Sequence, residues 1–600
     1  MRMTNWFLCL VAAAMISCSG GNSSVGVGDD ATDTWDAAAD ADSDADADSD
    51  ADSDSDTDAD SDTDADADTD ADTDTETSTN CVDNDSDDWC AGLDCNDSDS
   101  AINPNAEEAP NNGLDDDCDG VTDEAVDTST HYDGPIIPET CEQAAQATTT
   151  VGCLFYAVDL DTCDGVETNQ YAVAVSNVNE SKAANVIIFQ GQGGGWTQVQ
   201  NVSIGPMSLQ TFNLPNYNQQ WSGLKQKGSF KIQSDIPIIA YQFNPVDGSM
   251  SFISDASMLI PATSLSLTYD VMGWKRNDPT YVNPPDGSMR AYFTVVATMD
   301  GTVVTIAPSV PPLAGGPVQA TTTPFVVNMS EGDVLEVATN NIGDSLTGTR
   351  VESNADHPIS VFSGQECAYI PETTCCCDHL EEQLPGLRFW GKELVAARMP
   401  VRSTGATSDV VLWQLYASED NTKVEFATAA GVTGLPASPT FLNKGQELEF
   451  YVSGPQANPG DFALTADKPV GLMQYMTASG VIGMYAPGDP AMVWTSPTEQ
   501  FLPRYVVLVP ATWQNDVLIV TRKAGSQVLL DGTAIPDGEF VAVGGSGYEV
   551  ARHLTPDGVH TLASANEDNG LGVVVVGWDA YDSYAYLGGM SLGAINPGVE

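Results

Sequence analysis

Short apolar runs separated by turn formers fill the chain from about residue 140 onward. NVIIFQG (185–191), PIIAYQF (237–243), AYFTVVAT (291–298), DVVLWQLYAS (409–418), DVLIVTRK (516–523) and LGVVVVGW (571–578) are rich in β-branched and aromatic residues. Gly, Pro, Asn and Asp punctuate them, and no long stretch carries a helical period. The pattern predicts an all-β fold of sandwich type.

The pattern also repeats. FKIQSDIPIIAYQF (230–243), VESNADHPISVFS (351–363) and FALTADKPVGLMQY (462–475) share an Asp-x-Pro core, with Asp235, Asp356 and Asp467 spaced 121 and 111 residues apart. DGTVV (300–304) is echoed by DNTKV (420–424), and EGDVLEV (331–337) by KGQELEFYV (444–452). SMLIP (257–261), EEQLP (381–385) and EQFLP (499–503) follow the three Asp-x-Pro segments. TLASANEDNGLGVVVVGW (561–578) reads as a worn fourth copy. The expectation is a tandem array of about four β-sandwich-like units, at 141–253, 254–376, 377–488 and 489–592. Asp-x-Pro itself reads as structural: Asp favours a turn through its own backbone bonds, and Pro removes a ladder donor at a strand's entry.

Before this region the texture is different. Asp occupies every even position from Asp40 to Asp74, with Ala, Ser or Thr between. A helix would set Asp at i and i+4, and a strand would set every Asp on one face; both are repulsive. Charged linkers of this kind stay unfolded and stretched. Residues 19–80 therefore read as a disordered Asp-rich tether. The chain from Cys18 to Cys81 reaches at most on the order of 200 Å.

Charge sharpens the division. Of the 87 acids, 39 lie in residues 1–128, beside the single base Arg2. The formal net charge of −67 argues against nucleic acid as a partner, since its binders carry a basic footprint. At the very start, Arg2, the apolar run Trp6–Ile16 and the small residues around Cys18 have a signal-peptide layout too short for a membrane span. Met15-Ile16-Ser17-Cys18 resembles a bacterial lipobox, which implies cleavage before Cys18 and its acylation. The expected location is the outer membrane or cell surface, held by the lipid anchor only, or the secreted fraction if the lipobox is not used.

Residues 81–124 combine acids with turn formers and four cysteines, Cys81, Cys90, Cys95 and Cys118. Asp83, Asp85 and Asp87 alternate as calcium-loop ligands do. Asp94, Asn96, Asp97, Asp99, Asp115, Asp117 and Asp119 add hard oxygens. Calcium needs six to eight of these from a chain that folds back on itself, and two disulfides would supply the fold. Three connectivities stay open. DCNDSDSAINPNAEEAPNNGLDDDCDGVTDE (94–124) resembles the Asp/Cys-rich metal-binding repeat of bacterial surface proteins, a family that includes a copper-associated outer-membrane protein. Asp94-Cys95-Asn96-Asp97, Asn112-Gly113 and Asp115 through Gly120 carry the match; many copies have Cys where this chain has Pro110. The expected cofactor is Ca²⁺.

After a linker (125–140), seven further cysteines follow: Cys141, Cys153, Cys163, Cys367, Cys375, Cys376 and Cys377. The number is odd, so one thiol is left over or bridges between chains. Cys367 and the triplet are expected to form disulfides that pin the loop before LEEQLP. His379 beside the triplet offers a metal or thiol-nucleophile reading, but vicinal cysteines resist a shared tetrahedral centre. GQGGGW (191–196) lacks the Lys-Ser/Thr of a phosphate loop and reads as a turn. GGSGY (544–548) has the wrong order for a nucleophile elbow. Glu381-Glu382 are adjacent rather than facing, as glycoside hydrolysis would need. Trp274, Trp390 and Trp578 read as core residues.

GCLFYAVDLD (152–161), YAVAVSN (171–177), SDIPIIAYQFNP (234–245), SDASMLIPAT (254–263) and CDHLEEQLPGLRFWGKEL (377–394) resemble the N-terminal region of IgGFc-binding protein, which also occurs in bacterial secreted proteins, often myxobacterial. The resemblance spans most of residues 141–592 and implies an extracellular binding or adhesive module; no Fc-contact motif can be placed. The function expected is a non-catalytic surface protein that binds an extracellular protein or glycan. The alternatives are a self-associating envelope or surface-layer component and, behind it, a polysaccharide-acting enzyme.

Overall fold

The computed structural model describes residues 137–163, 166–246, 253–281, 288–483 and 486–596, together with Asn96, Ser98 and Ile102. Candidate residues elsewhere in 1–131 lie outside the described residues. The described chain is nearly all β. Its strands form seven antiparallel sheets of seven, five, four, four, four, four and five strands. One α-helix occurs among the described residues, Cys141–Ala147. It starts on a capping box, with Thr140 bonded to the Gln143 N–H and the Gln143 side chain to the Thr140 N–H. The tetrapeptide Thr-Cys-Glu-Gln was the available sign of it.

One topology recurs four times. Asp-x-Pro marks the point where the chain leaves one sheet for another. In the first unit a single strand, Phe230–Phe243, does both jobs. Its first half pairs with Val186–Gln190 and Leu154–Ala157, its second half with Ala172–Asn177 and Ala256–Met258. In the second unit Arg350–Ser353 and Ile359–Ala368 lie in separate sheets. Phe462–Ala466 and Val470–Tyr475 do the same in the third, and Gly558–Ser564 and Gly572–Asp579 in the fourth. The Asp clamps this crossing. Asp235 accepts the Asn185 N–H at 2.7 Å, and Asp467 the Lys423 N–H at 2.8 Å.

The second unit departs from the motif. There Asn354 accepts the corresponding Val303 N–H at 2.7 Å, and Asp356 sits in the left-handed region at φ 64°. A third mark also shifts. 3₁₀ turns Ala262–Ser264 and Leu387–Phe389 follow Pro261 and Pro385, but the matching turn, Thr498–Gln500, follows Pro497. The counterpart of SMLIP and EEQLP therefore ends at Pro497, not in EQFLP.

The continuous apolar runs have a tertiary cause. In Val411–Ala417 every residue is buried. Trp413 and Leu415 enter the core between the two sheets of their own unit, while Leu412 and Tyr416 enter a core shared with other units. In Ala291–Ala297, Phe293 and Val295 likewise face one core, and Tyr292 and Val296 another. A strand buried on both faces loses polar alternation. Outer strands keep it: Phe325–Met329 alternates between buried and exposed positions. Trp274, Trp390 and Trp578 are buried. GQGGGW is the expected turn: Gly193 and Gly194, at φ 59° and 83°, join Ala184–Gln192 to Gly195–Ile204.

Candidate functional site

Each repeat of the topology ends in a short strand: Ala256–Met258, Asp378–Gln383, Met492–Trp494 and Asp582–Leu587. Each of these strands touches the next, and the last touches the first. The tandem units thus close on themselves rather than running out in a line.

Asp255 sits at the meeting point. Its carboxylate accepts one backbone N–H from each of the four closing strands: Ala256 at 2.9 Å, Glu381 at 3.1 Å, Met492 at 3.1 Å and Ala585 at 3.2 Å. Burial pushes the carboxyl well above its ordinary range, and the four amide donors oppose that shift.

Other buried carboxylates extend the network. Asp378 accepts N–H groups from Ser254, His379 and Ser583. Asp489 accepts those of Ser479 and Cys376. Asp582 takes the Ser254 hydroxyl at 2.6 Å and the Trp513 indole at 2.8 Å. Burial raises Asp582 to about 7 and Asp489 to about 6. Apart from the His379 N–H, which lies in Asp378's own strand, the donors sit on other units or adjoining loops, so the arrangement locks the units to one another. An Asp at or just before every closing strand, at 255, 378, 489 and 582, was a repeat signal that the sequence reading missed.

A second latch joins the first two units. The Glu331 carboxylate, in the turn before Val334–Ala338, accepts the Tyr156 hydroxyl and the Trp196 indole at 2.9 Å each and pairs with Lys231 at 2.9 Å and Lys227 at 3.7 Å. Burial alone would raise this carboxyl; the bonds from Trp196, Lys231 and Tyr156 outweigh it and hold it at about 2. A carboxyl depressed on folding stabilises the fold above its unfolded pKa, and that stability is lost as pH falls toward the folded value. Glu331→Gln should therefore cost about 1–2 kcal/mol at pH 7, discounted for partial exposure. The gap between the two proteins should close between pH ~4.5 and ~2, which urea unfolding at several pH values would check. A gap independent of pH over that window would refute the assignment.

The cysteines are placed as follows. Cys141 bonds Cys153, Cys367 bonds Cys377, and Cys375 bonds Cys376. Cys163 is buried and belongs to none of these bridges; it packs in a small cluster with Cys367 and Tyr369. The bridged triplet leaves no thiol nucleophile beside His379. That imidazole is fully buried, 3.8 Å from Glu381, and burial drops its pKa to about 3. Asp159 and Asp161, in the Asp-Leu-Asp phrase, accept the Tyr217 and Trp221 N–H groups and so hold the loop before Gly223–Lys225.

Of the calcium candidates only Asn96 is described; its side chain accepts the Ser98 hydroxyl at 2.9 Å. Asp83, Asp85, Asp87, Asp94, Asp97, Asp99, Asp115, Asp117 and Asp119 lie outside the described residues, as do Cys18, Cys81, Cys90, Cys95 and Cys118. Among the described residues no group of three or more His, Cys, Asp or Glu is placed to hold a metal.

Comparison with known proteins bears on both regions. Residues 94–124 match a family model described as "Putative metal-binding motif". Residues 255–577, more than half of the chain, match the model described as "IgGFc binding protein". No curated protein and no solved structure matches the chain. The second match runs from the hub carboxylate Asp255 into the strand Gly572–Asp579, and on its extent the chain belongs to the IgGFc-binding protein family.

Proposed function

We propose that this is a lipid-anchored bacterial surface protein whose β region binds an extracellular protein or glycan ligand without catalysis. The family match over 255–577 carries the reading, because that family is described by a protein it binds. The interlocked hub supports it: a body tied together by buried carboxylates is a rigid platform, with recognition left to outer edges and loops. In this reading Cys18 carries the lipid, residues 19–80 hold the platform away from the membrane, and the acids of 81–124 take Ca²⁺. Among the described residues no helix is long and apolar enough to cross a membrane.

The test is retention of ligand by the full chain, displayed as a monomer to arrays of extracellular proteins, immunoglobulin Fc among them, and of glycans. Specific, saturable retention is expected. Absence of any ligand, together with assembly on adding Ca²⁺, would replace the binding reading with that of a self-associating envelope component. Two sub-readings have their own checks. Radiolabelled palmitate should enter the wild type and not Cys18→Ala. Calorimetry should give heat with Ca²⁺ at the ~0.1–1 mM typical of extracellular sites. No label, or no heat, would remove that part of the proposal.

A further inference from the structure

In a chain of net charge −67, the 42 residues from 183 to 224 contain no Asp, Glu, Lys, Arg or His. Near their end lies LPNYNQQWSG (214–223), the loop that leaves the first sheet after Leu209–Asn213 and reaches the second unit at Gly223–Lys225, which pairs with Val334–Ala338. Trp221 stands in this loop at φ 59° and is 47% exposed. Every other tryptophan among the described residues is buried or half-buried. A bulky residue in the left-handed region is an outlier, and such strain persists only where the surrounding structure imposes it, typically at ligand clamps and active sites.

Here the imposing groups are named. Asp161 accepts the Trp221 N–H at 3.1 Å and Asp159 the Tyr217 N–H at 2.6 Å, and both carboxylates are buried. Lys225 donates to the carbonyls of Tyr217 at 2.8 Å and Asn218 at 2.9 Å and lies 3.6 Å from the centre of the Tyr217 ring. Gln219 folds back on the carbonyls of Gln220 at 2.9 Å and Trp221 at 3.4 Å. Residue 223 is glycine for this reason: a Cβ there would stand 2.8 Å from the Gln219 Nε2. Ser222 is buried, and its hydroxyl takes the Ala338 N–H at 2.9 Å, so the chain is fixed on both sides of the indole. Asn216 and Gln220, both exposed, are steadied by bonds to Glu167. The charged groups beside the loop thus hold its backbone and amides, and the loop itself exposes an indole among carboxamides.

We propose that Trp221 is the stacking platform of a glycan-binding site whose ligand is a neutral pyranose chain. The site rests on the ligand-binding reading above and gives it a place and a ligand class. The chemistry matches: a pyranose offers a face of C–H groups to an aromatic ring, and hydroxyls around its rim to flanking carboxamides. Charge selects among glycans. Net charge −67 repels acidic polysaccharide, residues 183–224 hold no cation to receive it, and Lys225 is engaged with two carbonyls. Surface chemistry separates a glycan from a protein. A protein interface is built on clustered apolar and aromatic side chains, whereas Trp221 is the only exposed large hydrophobic residue in 183–224. A loop held on a rigid scaffold is also where recognition is commonly placed.

The full chain should be retained on immobilised neutral oligosaccharides, β-linked glucose and N-acetylglucosamine oligomers among them. Trp221→Gly should weaken that retention about tenfold or more, the loss expected for an aromatic anchor. Glycine relieves the positive φ, so this variant should melt within a few degrees of the wild type, which separates lost binding from lost folding. Trp221→Tyr keeps a ring and should recover part of the affinity. Phe441→Ala, which removes an aromatic ring of 59% exposure in the third unit, should leave retention unchanged. Hydroxyl-radical footprinting of the wild type should show Trp221 losing reactivity as oligosaccharide is added, a readout that needs no variant. A folded Trp221→Gly protein that holds neutral glycan as the wild type does overturns the site, as does a wild type that retains only proteins or acidic glycans; the broader binding reading survives both. Equal loss in Phe441→Ala, or a Trp221 equally reactive with and without bound oligosaccharide, also overturns it. A full chain that retains no ligand of any kind removes the site and the binding reading together.

Discussion

Asp255→Ala should lower the stability of the β region by about 4 kcal/mol or more. Four buried N–H groups lose their acceptor, and each unsatisfied buried donor costs about 1–3 kcal/mol. Partial relaxation keeps the total below the sum. The effect is architectural as well as energetic, because the four donors belong to four different closing strands. The wild type should melt in one calorimetric transition, and the variant should split into separate transitions as the units uncouple. Asp255→Asn keeps the shape but turns an acceptor into a donor facing amides, and should cost at least half as much. A variant that keeps a single transition within about 1 kcal/mol of the wild type would show that the hub does not couple the units.

Arg402→Met should cost about 2–5 kcal/mol, the range for two buried carbonyls that lose a charged donor. The guanidinium is almost fully enclosed. It donates to the carbonyls of Thr477 at 2.6 Å and Gly488 at 2.7 Å and lies 3.5 Å from the Asp409 carboxylate. Burial lowers its pKa and Asp409 opposes that shift, so the cation depends on the pair. Met fills similar space but leaves the two carbonyls without this donor, while Asp409 keeps Arg398 at 3.5 Å and the N–H groups of positions 402 and 403. Arg402 thereby holds the loop that delivers Asp489 and the strand Met492–Trp494 to the centre. Arg402→Lys keeps the charge but loses the planar fork, and should recover only part of the loss. Urea midpoints of the three proteins decide the matter; equal midpoints for Met and wild type would mean that the arginine is dispensable.

The candidate sites divide along the same line as the fold. The metal-binding motif matched at 94–124 and the proposed lipid site at Cys18 are read from local patterns: oxygens at short spacing among turn formers, and an apolar run before a cysteine. The hub was not legible. Asp255 and Asp378 stand inside quoted phrases, SDASM and CDHLEEQ, yet nothing within a few residues says that a carboxylate at 255 will meet an amide at 585. The clamp by Asn354 was hidden for a related reason, since the eye aligns Asp-x-Pro while the backbone aligns whichever oxygen reaches the neighbouring strand.

By itself, the order of residues determined the all-β class, the fourfold repeat, the turn at Gly193–Gly194, the burial of Trp274, Trp390 and Trp578 and the concentration of charge in residues 1–128. These follow from propensity, period and composition, which act over a few residues or over whole segments. Only the tertiary structure decided that the four units close on one another and that one carboxylate receives an amide from each. It alone placed alternate residues of a single strand in different cores and, among the described residues, left one ten-residue edge, Gly195–Ile204, without a second partner while its three counterparts are short. Those outcomes depend on contacts between residues a hundred or more apart, whose side chains satisfy polar groups and bury surface that no local pattern records.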